Sequence, residues 1–334
     1  MNNGYNFDPY SHYGYEYNYQ KKIKSLNEIN RHGFTIGVCL VVYIAVSYIM
    51  SLLISYTSLN AVFQSNEALY ESVNLIFTVI GVFIPFFIAS SSVKKYYKND
   101  SFGFDRPFDI KLFVTAVPAG LMLCFFGDKI SGWIVSFFSI FGVTMNSVEA
   151  DVPLSSGALL ITFLSSVVAA PLAEEFAIRG ITMQPLKKYG DKFALIMAAL
   201  VFALMHRNIV QGMFAFVAGI VLGYFSLATG SVWTGVVIHF FNNLASFIMT
   251  LCKQRLSSDA FFDIYIAMEI IVYVVGIICL ISFARNKNRI KLQKCSVPMI
   301  TTGEKTKNFL IPIPMLAAIA VMAVGTASYI SFGG

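Results

Sequence analysis

Apolar residues in this chain run in long blocks, most of them about twenty residues or more, separated by short clusters of charge, the pattern expected when lipid is the solvent. A soluble chain of this length would keep its apolar residues in short amphipathic runs. The blocks predict spanning helices at about 34–59 and 73–92. The next region, about 112–144, is too long for one span and is interrupted by Gly127, Asp128 and Lys129. It predicts one span followed by a shorter interfacial or re-entrant helix, because the next loop, with Glu149 and Asp151, is acidic and reads as external. Further blocks follow at about 157–185, 192–206, 209–229, 232–251, 260–284 and 309–332. The expected fold is all-α, a polytopic transmembrane helical bundle of about eight to nine spanning helices. Four regions are expected: a flexible Tyr-rich polar tail at 1–33, N-terminal membrane helices at 34–156, a membrane core at 157–251 and C-terminal membrane helices at 252–334.

Composition agrees with this pattern. Of 334 residues, 57% are hydrophobic, and 24 Lys and Arg with 18 Asp and Glu make only 13% charged, about half the usual share. That excludes a soluble globular enzyme and a disordered protein. The net charge of +6 would suit a nucleic-acid binder only if the basic residues gathered on one polar module, and they are scattered at block ends. No nucleic-acid partner is expected; the expected partners are the bilayer and a membrane-associated peptide or protein.

The charges carry topology instead. The tail has tyrosines at 5, 10, 13, 15, 17 and 19, then Lys21, Lys22, Lys24 and Arg31, and no apolar stretch that would make a cleavable signal peptide. The first inter-helix loop has Glu67 and Glu71, whereas the second has Lys94, Lys95, Lys98, Arg106 and Lys111. The most basic loop, from Arg285 to Lys307, lies before the last block. Basic loops on the inside predict a multi-pass protein of the cell membrane with a cytoplasmic N-terminus, with Lys253 and Arg255 the one dissent. The five cysteines, at 39, 124, 252, 279 and 295, form no CxxC pair and no zinc spacing with histidine, and read as small hydrophobes. No internal repeat is visible.

Ionisable groups inside spanning segments are expensive, so each marks a functional candidate. They gather in one stretch. The fourth long block contains Glu174-Glu175-Phe176-Ala177-Ile178-Arg179, in which Glu175 and Arg179 are four apart and share a helix face. Glu174 lies about 100° around the helix, leaving it available for chemistry while Arg179 neutralises Glu175. A buried ion pair that merely locks helices is the competing account of this stretch. His206 closes the next block, and His239 and Asn243, again four apart, lie in the block at 232–251. At about 1.5 Å per residue, Glu174 lies roughly 16 Å from Pro185, His206 roughly 21 Å along from Lys192, and His239 and Asn243 roughly 12 and 18 Å along from Ser231. All four therefore fall in the middle third of a ~30 Å core. A carboxylate and an imidazole can bind and deprotonate a water, and a second imidazole with an amide can donate to the oxyanion formed when that water attacks a carbonyl.

Glu174-Glu175-x-x-x-Arg179, Phe202-x-x-x-His206 and His239-x-x-x-Asn243, in that order on successive apolar segments, resemble the three motifs of the CAAX prenyl endopeptidase and bacteriocin-processing (Abi, CPBP) family of intramembrane proteases. The resemblance covers about 157–251. It implies a metal-independent, glutamate-type intramembrane endopeptidase with no cofactor. Glu174 and His206 would activate water, His239 and Asn243 would form the oxyanion hole, and Glu175 with Arg179 would hold the site or position substrate. Two other readings remain open from the residues: a zinc metalloprotease built on two His and one Glu, and a proton-coupled transporter or non-catalytic immunity or scaffold protein.

Overall fold

The computed structural model describes residues 12–56, 59–95, 97, 101–107, 109–147, 151–153 and 155–332. These are organised as α1 (His12–Tyr56), α2 (Leu59–Ser65), α3 (Glu67–Lys94), α4 (Ile110–Ser139), β1 (Val143–Met145), α5 (Ser156–Tyr189), α6 (Asp191–Met205), α7 (Ile209–Thr229), α8 (Val232–Arg255), α9 (Ser258–Arg285), α10 (Thr302–Leu310), α11 (Ile313–Ala327) and β2 (Ile330–Phe332). The two short strands pair antiparallel, Thr144 opposite Ser331. The protein is an all-α polytopic bundle in which seven helices are long and apolar enough to cross a membrane, or eight if the bent pair α10–α11 forms one span.

Three expectations are corrected. Residues 12–33, expected as flexible tail, are helical and form the first half of α1. Tertiary contacts order them: Lys22 pairs with Glu304 at 2.6 Å, Lys188 and the Tyr189 hydroxyl bind Glu28 at 2.5 and 2.8 Å, and His32 Nε2 lies 3.0 Å from the Thr182 carbonyl. The tail up to residue 11, with Tyr5 and Tyr10, lies outside the described residues. The break expected at 127–129 is absent, and α4 runs through it as one 30-residue helix. Lys129 is paired with Glu269 of α9 and donates to the Tyr265 hydroxyl, so its charge is met inside the bundle without a turn in the chain. The final block is two helices that meet at 80°, with Pro312 and Pro314 at the junction, where neither can supply a helical N–H.

The block at 192–206 is helical, but its 15 residues span only about 22 Å, less than the hydrocarbon core, and most of them are buried in protein. This inner helix packs against α5 and α7. Around it, α4 contacts α7, α8 and α9, while α1 contacts α3, α10 and α11. Close approach of α1 to α10 and α11 depends on Gly33 and Gly37, where a Cβ would run into the backbone of Phe309 and of Met315. Two apolar cores result. One joins α1, α3, α5, α6 and α11 through residues such as Leu40, Phe86, Ile178, Phe193 and Met315. The other joins α4, α7, α8 and α9 through Leu112, Phe225, Ile238 and Phe283. The polar residues of the membrane core lie where these two cores meet.

Candidate active site

The chain's local geometry at α5 is unusual. Ser156–Tyr189 contains two π-helical stretches, Phe163–Ala169 and Phe176–Met183, on either side of a short α segment, Ala170–Glu175. In the first stretch the Ala170 N–H bonds the Ser165 carbonyl, one residue further back than in an α-helix. The next carbonyl in line, that of Ser166, would receive the N–H of residue 171, which is a proline and has none. The Asn243 side-chain amide fills this role, donating to the Ser166 carbonyl at 2.8 Å. One α8 side chain is thereby fixed against one α5 carbonyl.

Glu175 and Arg179 form the expected pair, with Nη1 2.8 Å from Oε1 and both side chains fully buried. Arg179 also donates from Nη2 to the Gly219 carbonyl on α7 at 3.2 Å, and its guanidinium lies over the Phe202 ring. The same Glu175 Oε1 is 2.9 Å from His239 Nδ1, a contact absent from the sequence reading. A carboxylate in that position holds the imidazole by its Nδ1 proton and turns Nε2 the other way. His239 Nε2 lies 3.8 Å from Glu174 Oε2. Gly235, one turn before His239, makes room for this network: a Cβ there would come within 2.8 Å of Glu175 Oε2 and 2.7 Å of Ser226 Oγ. A glycine four residues before a histidine in an apolar helix was the available signal for it.

His206 caps α6 and is followed by Arg207 in the left-handed region at φ 51° and Asn208, which starts α7 by accepting from Val210 and Gln211 N–H. The turn is held from α1, where the Tyr43 hydroxyl donates to the Met205 carbonyl at 3.0 Å and Arg207 lies over the Tyr43 ring. His206 Nδ1 is 2.9 Å from the Phe202 carbonyl. A carbonyl only accepts, so Nδ1 carries the proton and the neutral ring keeps Nε2 as a lone-pair acceptor.

These residues meet in one place. Glu174, His206, His239 and Asn243 all line a cavity of about 110 Å³, with Phe202, Phe214 and Asn242 among its other walls. Glu174 is the carboxylate with access, its side chain 21% exposed against 0% for Glu175. The six residues singled out in the sequence therefore fall into two layers: four on the cavity, and Glu175 with Arg179 behind them. Phe202, Asn242, Gly235 and Ser166 belong to the surroundings and carry no sequence signal as strong as an intramembrane charge. Among the described residues, no group of three or more His, Cys, Asp or Glu side chains is arranged to hold a metal ion.

Comparison with known families places this same stretch. Residues 156–245 match the family model described as Rce1-like, type II CAAX prenyl endopeptidase Rce1-like. The match runs from the start of α5 through most of α8, and supports the resemblance to the CAAX and Abi group of intramembrane proteases read from the three motifs. No curated protein and no solved structure matches the chain.

Proposed function

We propose that this protein is a metal-independent intramembrane endopeptidase that hydrolyses a membrane-associated peptide or protein with a water activated by Glu174 and His206. The observation that carries the reading is the single 110 Å³ cavity onto which Glu174, His206, His239 and Asn243 converge from α5, α6 and α8. A cavity of that size is polar enough and large enough to hold a water and the atoms of a peptide bond.

In the proposed reaction the water sits between the Glu174 carboxylate and His206 Nε2, the two groups able to accept its proton. The hydroxide attacks the peptide carbonyl carbon, and the carbonyl electrons move onto oxygen. The oxyanion is met by Nε2–H of His239 in its imidazolium form and by the second N–H of the Asn243 amide, whose first is spent on Ser166. Glu175 accepts from Nδ1–H of His239, and its negative charge supports the doubly protonated ring, the only form that can give Nδ1–H to Glu175 and donate from Nε2 as well. Collapse of the intermediate breaks the C–N bond, and the proton taken from water passes to the departing amine. No covalent intermediate is needed, and no serine or cysteine is assigned as a nucleophile.

Purified full-length protein in lipid nanodiscs, incubated with a library of membrane-anchored peptides, should release cleaved products that mass spectrometry identifies. Glu174→Ala should abolish release while eluting and melting as the parent does. Wild-type protein inert toward the library, or a Glu174→Ala variant as active as the parent, would overturn the reading, and proton-coupled flux lost in that variant would identify a transporter instead.

A further inference from the structure

Beside the cavity of Glu174 lies a larger one of about 290 Å³, and the two share Phe214 and Asn242 as a common wall. On α8 the lining residues Asn242, Ala245, Ser246 and Met249 fall on one helical face, which prolongs the cavity away from His239 towards the C-terminal end of that helix. Most of the remaining wall is apolar, from Phe125 on α4, Phe214 on α7 and Met268 on α9.

Two carboxylates interrupt that wall, and they are in different states. Glu269 is paired with Lys129 and accepts from the Tyr265 hydroxyl at 2.6 Å. Asp128 lies well inside the 30-residue α4 and makes no hydrogen bond or ion pair with any described residue. Its neighbour Lys129 is shared with Glu269, so Asp128 has no counter-charge of its own. A carboxylate so placed within a spanning segment is costly, and a cation brought by a ligand would relieve that cost. Because the two cavities adjoin at Phe214 and Asn242, a polypeptide lying across the first brings its nearby side chains next to the second.

We propose that this second cavity is a side-chain subsite that accepts a lysine or arginine of the substrate close to the cleaved bond. Its aliphatic stem lies along Phe125, Phe214 and Met268, and its cation meets Asp128. Long basic side chains suit such a site because they bury their methylenes and place only the charged end on a polar partner. The assignment rests on Glu174, His206, His239 and Asn243 being the hydrolytic centre, and it narrows the substrate class to chains with a basic residue near the scissile bond.

The test uses full-length protein in nanodiscs and a series of anchored peptides that differ only in carrying Lys, Leu or Glu at successive positions about the cleavage point. Wild type should favour Lys over Leu at one position by at least about tenfold in kcat/KM, the scale of a hydrogen bond to a charged group. In Asp128→Asn that ratio should fall to about one, Asp128→Glu should restore part of it, and Ala245→Phe, which fills the cavity but keeps the charge, should also reduce it. A ratio unchanged in Asp128→Asn, or no preference for Lys at any position, overturns the subsite. Binding of the same peptides to Glu174→Ala, read by fluorescence anisotropy, separates the two claims. Lys-dependent binding that requires Asp128, with no cleavage by wild type, retains the subsite and overturns the hydrolytic reading; cleavage without Lys-dependent binding does the reverse.

Discussion

The side-chain amide of Asn243 donates to the Ser166 carbonyl, 77 residues away in sequence, and does so because Pro171 leaves that carbonyl without a main-chain donor. The hydrogen bond fixes which way the Asn243 amide faces. In Pro171→Ala a main-chain N–H would compete for Ser166, and the amide would be free to turn. Turnover should drop about tenfold or more with little change in KM, since a misplaced oxyanion donor acts on the transition state, and Asn243→Ala should lose about 10² or more. Steady-state kinetics on any cleaved peptide decide this; a Pro171→Ala variant with the parent kcat would sink it.

Glu174 and Glu175 are adjacent in sequence and should respond in opposite ways to the same change. Glu174→Gln should lose activity by orders of magnitude and keep its thermal stability, because that carboxylate faces a cavity. Glu175→Gln should be destabilised by about 3–5 kcal/mol, because it leaves the fully buried Arg179 without its counter-charge. Thermal melts of both variants in detergent check the prediction, and equal melting temperatures for the two would contradict it.

Gly235→Ala tests the room behind His239. The added methyl would press on Glu175 Oε2 and Ser226 Oγ, so either the carboxylate moves or α8 withdraws from α7. The expected result is a loss of about 1–3 kcal/mol in stability, the usual cost of overpacking, together with reduced turnover as His239 loses its Nδ1 partner. A variant as stable and active as the parent would show that the space is larger than the geometry indicates.

Activity should survive metal chelation. Arg179 brings a positive charge one residue layer behind His239 and Glu174, which opposes a cation bound between them. Cleavage assays with EDTA and with 1,10-phenanthroline should match untreated controls. Inhibition that added zinc reverses would favour a metalloprotease and refute the water activation proposed for Glu174 and His206.

Much of this arrangement could be read from the chain alone because helix rise is a one-dimensional ruler. Counting residues from the segment ends placed Glu174, His206, His239 and Asn243 at one depth, and the four do line one cavity. The i,i+4 rule likewise paired Glu175 with Arg179. What depended on a third dimension was not legible. The Glu175–His239 bond joins residues 64 apart, and the Asp128–Lys129 interruption of α4 is tolerated only because Glu269 and Tyr265 of α9 meet the lysine. The helical state of residues 12–33 has the same origin: their polar composition reads as a tail, while contacts with Thr182, Lys188 and Glu304 hold them in place.

The two π-helical stretches of α5 give the helix slack in its numbering. Each wide turn accommodates roughly one residue more than an α-helical path would need, so removing one residue at Phe163 or Leu164 can be absorbed by tightening the turn, and the segments before and after it keep their facing. The same deletion in the regular stretch Ala170–Glu175 has no such reserve and rotates one half of the helix against the other by about 100°. Glu174 thus sits on a short regular part of α5 where the count of residues is rigid, framed by two parts where it is not.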